Sequence, residues 1–135
     1  MSKPTPTVQK WMSTNPTTIE RTATLERAHA LMRAEQIRHL PVVDGAQLVG
    51  VVSQRDLHLI ETLGGVDVRE VRVEEAMSSH PYVVAPNAPL DEVVAELAER
   101  KIGSAVVVQN AKVVGIFSTV DAMRAFAELM HTRLG

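Results

Sequence analysis

Hydrophobic residues recur along this chain in an order that repeats after 65 positions. Short valine-rich runs bounded by turn residues alternate with longer stretches in which apolar residues return every three or four positions. The short runs are typical of buried strands, and the longer stretches are typical of helices with one face on a core. When the sequence is shifted by 65 positions against itself, residues 8–57 align with residues 73–122 without a gap. We infer that the chain contains a duplication.

Each copy predicts the same order of elements: an amphipathic piece, a proline-containing turn, then strand, helix, strand, strand and helix. In the first copy these are Val8–Met12, Ser13–Pro16, Thr17–Ile19, Leu25–Gln36, Leu40–Val43, Leu48–Val52 and a helix from Ser53 to Gly64-Gly65. In the second copy they are Val73–Met77, Ser78–Pro81, Tyr82–Val84, Leu90–Lys101, Ala105–Val108, Val113–Phe117 and a helix from Ser118 to about Arg133. The repeats are therefore 1–65 and 66–135, with residues 66–72 as the connector.

Local signals support this order. Thr24 is a suitable cap for the first helix, and Pro89 suits the start of its counterpart. Asp44-Gly45 is a strong hairpin signal, with Gln109-Asn110 at the equivalent place. Each β-α-β-β-α copy leaves an apolar face uncovered, which a second copy can bury. The predicted fold class is therefore α/β (α+β), with two repeats packed in pseudo-twofold symmetry.

One motif, G-x-x-S-x-x-D, ends the second long strand in both copies. It supplies Gly50, Ser53 and Asp56 in the first copy, and Gly115, Ser118 and Asp121 in the second. One reading is a capping box, in which the serine and the acid satisfy free N–H groups of the helix start. Aspartate is shorter than the usual Glu or Gln, however, and the helix dipole favours a negative charge there. The second reading is a grip in which the carboxylate accepts hydrogen bonds from a ribose diol, and the two readings are compatible.

The order of elements and the segments Ile37–Asp56 and Ile102–Asp121 closely resemble the cystathionine-β-synthase (CBS) domain, and residues 8–130 are covered. A tandem pair of such domains is called a Bateman module. The resemblance implies two clefts that bind adenosine-containing ligands such as AMP, ADP, ATP or S-adenosylmethionine. It also implies a regulatory role toward an enzyme, transporter or channel. No such protein is attached here, so a stand-alone module is expected.

The resemblance also implies which residues bind the ligand. The first strands would offer backbone groups to adenine, the segments before the next strands would form a ledge and phosphate contacts, and the helix starts would hold ribose. The expected residues are Thr18, Ile19, Arg38, His39, Pro41, Ser53, Arg55 and Asp56 in the first copy, and Val83, Val84, Gly103, Ser104, Ala105, Ser118, Thr119 and Asp121 in the second. For Leu40, Ala105 and Val106, core packing is an equal alternative.

The two copies differ at the places expected near phosphate. Arg38, His39 and Arg55 of the first copy correspond to Gly103, Ser104 and Val120 of the second. Arginine suits phosphate because its planar fork can bind two oxygens, although an ordinary solvated charge is the alternative. We expect two clefts of different affinity, one of which favours a phosphorylated ligand.

Composition narrows the function classes. The formal net charge is −2, so the chain lacks the excess positive charge that favours binding to nucleic acid or an anionic membrane. The chain has no cysteine, which excludes disulfides and a cysteine nucleophile and fits the cytoplasm. No apolar run has the length of a membrane span.

The five histidines have no metal-ligand spacing, and no phosphate-binding loop or catalytic constellation is visible. We therefore expect no metal, no cofactor and no enzymatic activity, and we expect His29, on an apolar helix face, to be a partly buried packing or interface residue.

The last helix carries an apolar stripe that predicts an assembly surface. The residues expected to form a twofold homodimer are Met123, Phe126 and Met130, and the alternative is that they belong to the internal core. The leading hypothesis is thus a sensor of AMP, ADP or ATP that responds through dimer or helix rearrangement and controls a partner of unknown identity. S-adenosylmethionine or NAD are alternative ligands. A structural interaction module with vestigial clefts is the alternative function.

Overall fold

The computed structural model describes residues 5–134, which form two compact units. The first unit is Pro16–Pro81, and the second unit combines the described residues up to Asn15 with those from Tyr82 onward. The boundaries between these units lie at residues 15/16 and 81/82, whereas the boundary between the sequence repeats lies at 65/66. The division into 1–65 and 66–135 therefore stays a prediction about the duplication.

The described residues form a mixed α+β fold, which confirms the predicted class. The strands are β1 (Ser13–Thr14), β2 (Ile19–Glu20), β3 (His39–Asp44), β4 (Gln47–Ser53), β5 (Val83–Val84), β6 (Ser104–Gln109) and β7 (Lys112–Ser118). The helices are α1 (Leu25–Glu35), α2 (Gln54–Glu61), α3 (Leu90–Arg100) and α4 (Thr119–Leu134). Single 3-10 turns lie at Val8–Lys10 and Val73–Glu75. No described helix has the length and apolar character needed to cross a membrane.

Each unit is built around a small mixed sheet. In the first unit the strand order is β2-β3-β4, with β2 parallel and β4 antiparallel to β3. In the second unit the order is β1-β7-β6-β5, where β5 is parallel to β6 and the other pairs are antiparallel. The registers of the two hairpins match: both shift once, between Val42 and Val43 and between Val107 and Val108. The duplication therefore extends to an irregularity of the backbone.

Each unit has its own core, formed by the apolar face of a helix against the sheet. In the first unit α1 buries Leu25, Ala28 and Met32, and in the second unit α3 buries Leu90, Val93 and Leu97. The strand residues of the cores are fully or almost fully buried: Leu40, Val42 and Val52 in the first unit, and Ala105, Val107 and Phe117 in the second. As predicted, Thr24 caps α1, since its side chain accepts a hydrogen bond from the N–H of Arg27 (3.2 Å).

In each repeat, the segment that precedes the first strand packs against the strands and helices of the other repeat. Residues 5–15 pack on the second unit, where β1 pairs with β7 and Val8 is fully buried. Residues around Val73–Ser78 pack on the first unit, where Val73 is fully buried and the N–H of Val51 donates to the carbonyl of Ser78 (3.0 Å). We call residues 5–15 the amino-terminal strap. Each strap-like segment is amphipathic because one of its faces closes a core.

The packing of these two segments against β4 and β7 explains why the repeated motif begins with glycine. A β-carbon at Gly50 would lie 2.5 Å from the carbonyl oxygen of Ser78 and 2.6 Å from the sulfur of Met77. A β-carbon at Gly115 would lie 2.5 Å from the sulfur of Met12 and 3.0 Å from the carbonyl oxygen of Ser13. Both glycines allow the crossing segment to approach the strand closely. The glycine of the motif is thus a packing residue.

A polar cluster fastens the strap to α4. The indole N–H of Trp11 donates to a carboxylate oxygen of Glu128 (2.9 Å). The ammonium of Lys10 lies 4.8 Å from the Trp11 ring centroid and 4.0 Å from the other Glu128 oxygen. The first unit has no equivalent, since Ala76 and Leu63 occupy the corresponding positions.

The structure corrects several element boundaries. The turn predicted at Ser13–Pro16 contains strand β1, because this stretch pairs with β7. Helix α2 ends at Glu61, before the predicted stop at Gly64-Gly65. The hairpin turns lie one residue later than predicted, since Asp44 pairs with Gln47 and Gln109 with Lys112. The connector at 66–72 contributes Val68 and Val71 to the packing of the first core.

Candidate functional site

The candidate site of the first unit lies where β4 ends and α2 begins. Ser53 is the N-cap of α2, and Asp56 is its third residue. The backbone N–H of Ser53 donates to Oδ2 of Asp56 (2.8 Å), and the backbone N–H of Asp56 donates to Oγ of Ser53 (3.0 Å). This reciprocal pair is a capping box. The structural reading of the motif is therefore confirmed.

The equivalent place in the second unit has the same pair and one further bond. The N–H of Ser118 donates to Oδ2 of Asp121 (2.8 Å), and the N–H of Asp121 donates to Oγ of Ser118 (3.4 Å). In addition, the hydroxyl of Ser118 donates to Oδ2 of Asp121 (3.1 Å). Asp121 is only 6% exposed, whereas Asp56 is half-buried. The two carboxylates thus have different surroundings within the same backbone arrangement.

Strand pairing brings the segment before the central strand to each helix start. His39 is opposite Ser53 in the β3–β4 hairpin, and the N–H of Gln54 donates to the carbonyl of Arg38 (2.8 Å). In the second unit Ser104 is opposite Ser118, and the N–H of Thr119 donates to the carbonyl of Gly103 (3.0 Å). The predicted residues of the central strand and of the helix start therefore lie at one strand end within each unit.

Charge distinguishes these two strand ends. Arg38 and Arg55 have exposed side chains, and neither is within 4.0 Å of a carboxylate among the described residues. Burial lowers the pKa of the His39 imidazole below its ordinary value, the negative charge of Asp56 raises this pKa in part, and Arg38 lowers it. The neutral form of His39 is therefore favoured in the folded chain. The second unit has Gly103, Ser104 and Val120 at these positions.

The remaining predicted residues lie along the neighbouring strands. Ile19 on β2 is buried and pairs with Val42 of β3, and Thr18 is exposed just before it. In the second unit Val83 is 47% exposed, Val84 is half-buried, and they pair with Val106 and Val107. Ile19 is thus opposite a residue three positions beyond His39, and Val83 is opposite a residue two positions beyond Ser104, so their contact with a ligand stays a prediction.

The residues proposed for an apolar ledge are buried. Pro41, Leu40, Ala105 and Val106 are each less than 2% exposed. Leu40 and Ala105 are members of the cores of their units, so the packing reading holds for these two. Pro41 and Val106 alternate with them along β3 and β6 and are members of neither core, so the role of Pro41 in binding stays a prediction.

Sequence reasoning missed one residue beside the second carboxylate. A guanidinium nitrogen of Arg124 lies 3.8 Å from Oδ1 of Asp121, and the Arg124 side chain is 75% exposed. The spacing of three residues on a helix was the available signal, because such residues are neighbours on its surface. The equivalent position in the first unit is Leu59, which is 70% exposed and carries no charge.

Two further features outside these strand ends concern predicted residues. His29 is half-buried, and its Nε2 lies 2.5 Å from a carboxylate oxygen of Glu61, as expected for a partly buried packing residue. On α4, Met123 is 64%, Phe126 66% and Met130 40% exposed. The internal-core alternative is therefore wrong for these three residues.

Comparison with known proteins identifies relatives over nearly the whole chain. The family model described as "CBS domain" matches residues 8–59 and 68–128. The CBS domain-containing protein YhcV of Bacillus subtilis is 29% identical over 114 residues, which is 84% of this chain and 81% of that protein. The inosine-5′-monophosphate dehydrogenase of Korarchaeum cryptofilum is 30% identical over 110 residues, or 81% of this chain. The match spans only 22% of that enzyme.

Solved structures show the same fold. The protein designated AcuB from Vibrio cholerae has a TM-score of 0.83 and 34% identity, with 96% of each chain covered. The CBS domain pair of protein MJ0100, in complex with 5′-methylthioadenosine and S-adenosyl-L-methionine, has a TM-score of 0.84 and 25% identity over 93% of this chain and 98% of that one. CBSX2 in complex with AMP has a TM-score of 0.75 and 26% identity over 92% of this chain and 98% of that one.

Proposed function

We propose that this chain, which belongs to the CBS domain family, is a regulatory module that binds an adenosine-containing ligand at a Ser-x-x-Asp helix start. The structural neighbours MJ0100 and CBSX2 support this proposal, because their bound ligands all contain adenosine. The single observation that carries it is the Asp56 carboxylate. It stands at the start of α2, and only one of its oxygens accepts a hydrogen bond within the described residues. The other oxygen is free to accept from a ribose hydroxyl.

AMP, ADP and ATP are the proposed ligands, with the ribose on the aspartate and the phosphates near cationic side chains. Arg38 and Arg55 flank the Asp56 helix start and have no acidic partner among the described residues. Guanidinium groups bind phosphate oxygens through two parallel hydrogen bonds. The first strand, at Thr18-Ile19, would contact adenine through its backbone groups, and Val83-Val84 is the equivalent strand of the second copy.

The proposed output is a change in assembly or helix position that a cytoplasmic partner detects, and the module performs no catalysis. Met123, Phe126 and Met130 form an exposed apolar stripe on α4, and such a stripe on a soluble surface marks an interaction site. We propose that a second copy of the chain covers it in a twofold homodimer. A ligand then signals if it binds one arrangement of the helices more tightly than another.

A structural interaction module without a ligand is the second candidate. It is favoured by the capping boxes, since both aspartates already stabilise their own helices. In this reading α4 alone carries the function through its exposed stripe.

A melting-temperature screen distinguishes the two functions. The purified chain is melted with AMP, ADP, ATP, S-adenosylmethionine, 5′-methylthioadenosine or NAD, with GMP as the control for base identity. A ligand that binds only the folded chain adds about 2.7 kcal/mol at a hundredfold excess over its dissociation constant. We expect AMP, ADP or ATP to raise the melting temperature and GMP to leave it unchanged. If no adenosine compound produces a shift, the sensor proposal is wrong and the structural candidate stands.

A further inference from the structure

We propose that the two repeated aspartates have different roles: Asp56 binds the ribose of a phosphate-bearing ligand, and Asp121 is a structural cap. The chain then holds one ribose-binding carboxylate instead of two. This inference rests on the proposed function and assigns its ligand to one repeat.

Asp121 is enclosed by its own helix start. Its Oδ2 accepts two hydrogen bonds, from the N–H and the hydroxyl of Ser118 (2.8 and 3.1 Å). Its Oδ1 faces the Arg124 guanidinium at 3.8 Å, and the whole residue is 6% exposed. Oδ1 accepts no hydrogen bond among the described residues, but a ribose hydroxyl would have to share this oxygen with the Arg124 charge and reach a carboxylate that is almost closed off from solvent.

The serine of the second repeat is equally committed. The Ser118 hydroxyl donates to Asp121 and its oxygen accepts from the N–H of Asp121 (3.4 Å), so its hydrogen is in use. A hydroxyl has one hydrogen to donate. Ser118 is therefore unable to donate to a ligand without giving up a bond that holds the carboxylate.

Asp56 and Ser53 retain these capacities. Oδ2 of Asp56 accepts one bond, from the N–H of Ser53, and Oδ1 has no hydrogen-bond or ion-pair partner among residues 5–134. The Ser53 hydroxyl accepts from the N–H of Asp56 and donates to no described residue. One acceptor oxygen and one donor hydrogen thus remain at this helix start, and Asp56 is half-buried instead of closed.

The groups around Asp56 indicate the ligand class. Arg38 and Arg55 are exposed cations, and His39 is opposite Ser53 in the strand pairing. The second repeat replaces these three residues by Gly103, Val120 and Ser104, which carry no charge. Cations that lack a protein carboxylate favour a phosphate-bearing ligand over uncharged 5′-methylthioadenosine. The first repeat therefore combines a free carboxylate for a diol with free cations for a phosphate.

Calorimetric titration with AMP tests this assignment. We expect one site per wild-type chain and weaker binding of 5′-methylthioadenosine. Asp56→Asn should raise the dissociation constant for AMP roughly 10-fold or more, because losing a hydrogen bond to a charged group costs about 1.5–3 kcal/mol. Asp121→Asn should leave this constant within about threefold and should lower the melting temperature of the ligand-free chain more than Asp56→Asn does. Ser118→Ala, compared with Ser53→Ala, serves as the second pair if Asp121→Asn does not fold.

Several results would overturn the assignment. Two equal AMP sites per chain, or loss of AMP binding in folded Asp121→Asn or folded Ser118→Ala, would show that the second carboxylate binds ligand. An unchanged dissociation constant in Asp56→Asn would remove Asp56 from the site. If the wild-type chain binds no adenosine compound at all, the proposed function itself fails and this assignment fails with it.

Discussion

Strand β3 places a histidine opposite Ser53, whereas strand β6 places a serine opposite Ser118. The backbones of these two regions match closely: both hairpins shift register at the same place, and both helix starts donate an N–H to the residue before the central strand. The side chains do not match, since a carboxylate with free capacity in one unit corresponds to an enclosed one in the other. The duplicated backbone thus gives each unit the same Ser-x-x-Asp helix start, and the substituted side chains give the two carboxylates different surroundings.

The same contrast holds in the cores. Val52 and Phe117 occupy equivalent positions at the ends of β4 and β7, and both are fully buried. At this core position the second unit therefore has an aromatic ring, whereas the first unit has a valine and its neighbours. The two cores should differ in how much a truncation at this position costs.

The largest expected effect comes from this core position. Phe117→Ala should lower the free energy of unfolding by about 3–5 kcal/mol, because a large side chain is lost and a cavity remains. Val52→Ala removes two methyl groups and should cost about 1.6 kcal/mol from transfer alone, at about 0.8 kcal/mol each. Urea denaturation measures both losses, with Val83→Ala at an exposed strand position as the control. Equal losses in the two variants would show that the cores respond alike.

The next effect concerns the helix faces outside the cores. Phe126 is equivalent to Glu61, so Phe126→Glu gives α4 the side chain that α2 has at this position. We expect this change to weaken the proposed homodimer roughly 10-fold or more. Phe126 is exposed in the single chain but would be buried in the dimer, where a charged group would be desolvated.

Sedimentation equilibrium measures the dimer constant, and Ala98→Glu on α3 provides the control for added charge on an exposed helix position. A wild-type chain that sediments as a monomer at all concentrations would contradict the homodimer. A dimer that is unchanged in Phe126→Glu would place the interface elsewhere.

The smallest expected effect is the pH dependence contributed by His39. Burial lowers its pKa in the folded chain, so the neutral form is favoured by folding. The corresponding stability is fully present above the unfolded pKa of about 6.5 and is lost as the pH falls through that value toward the folded pKa. His39→Ser, which reproduces the serine of the second repeat, should therefore lose less melting temperature between pH 8 and pH 5.5 than the wild-type chain.

Melting curves at the two pH values test this difference. His131→Ser at an exposed position of α4 serves as the control for removing one of the five histidines. If His39→Ser loses as much melting temperature as the wild-type chain, the buried imidazole makes no contribution to the acid sensitivity.

The repeat and the order of its elements could be predicted from the sequence because apolar periodicity is a local property. The helices at Leu25 and Leu90 begin as predicted, and the capping pairs at Ser53 and Ser118 are visible in the motif itself. Amphipathicity likewise indicated that Val8 needs a core to cover. It could not indicate which core, and the strap packs on the unit of the second repeat.

The difference between the two carboxylates was also beyond sequence reasoning. Asp56 and Asp121 stand in the same motif, so their spacing predicts the same role for both. Their burial and the orientation of the Ser118 hydroxyl depend on packing around each helix start, which the motif does not encode. The signal in the sequence that the copies differ was the replacement of Arg38, His39 and Arg55 by Gly103, Ser104 and Val120.

Trp11 is the only tryptophan of the chain, and its indole contacts both the Lys10 ammonium and the Glu128 carboxylate. Indole fluorescence excited near the red edge of its absorption therefore originates from one place, the clasp between the strap and α4. Emission from this single fluorophore would report release of the strap without any attached dye. Events confined to Pro16–Pro81 would be optically silent unless they propagate to that clasp.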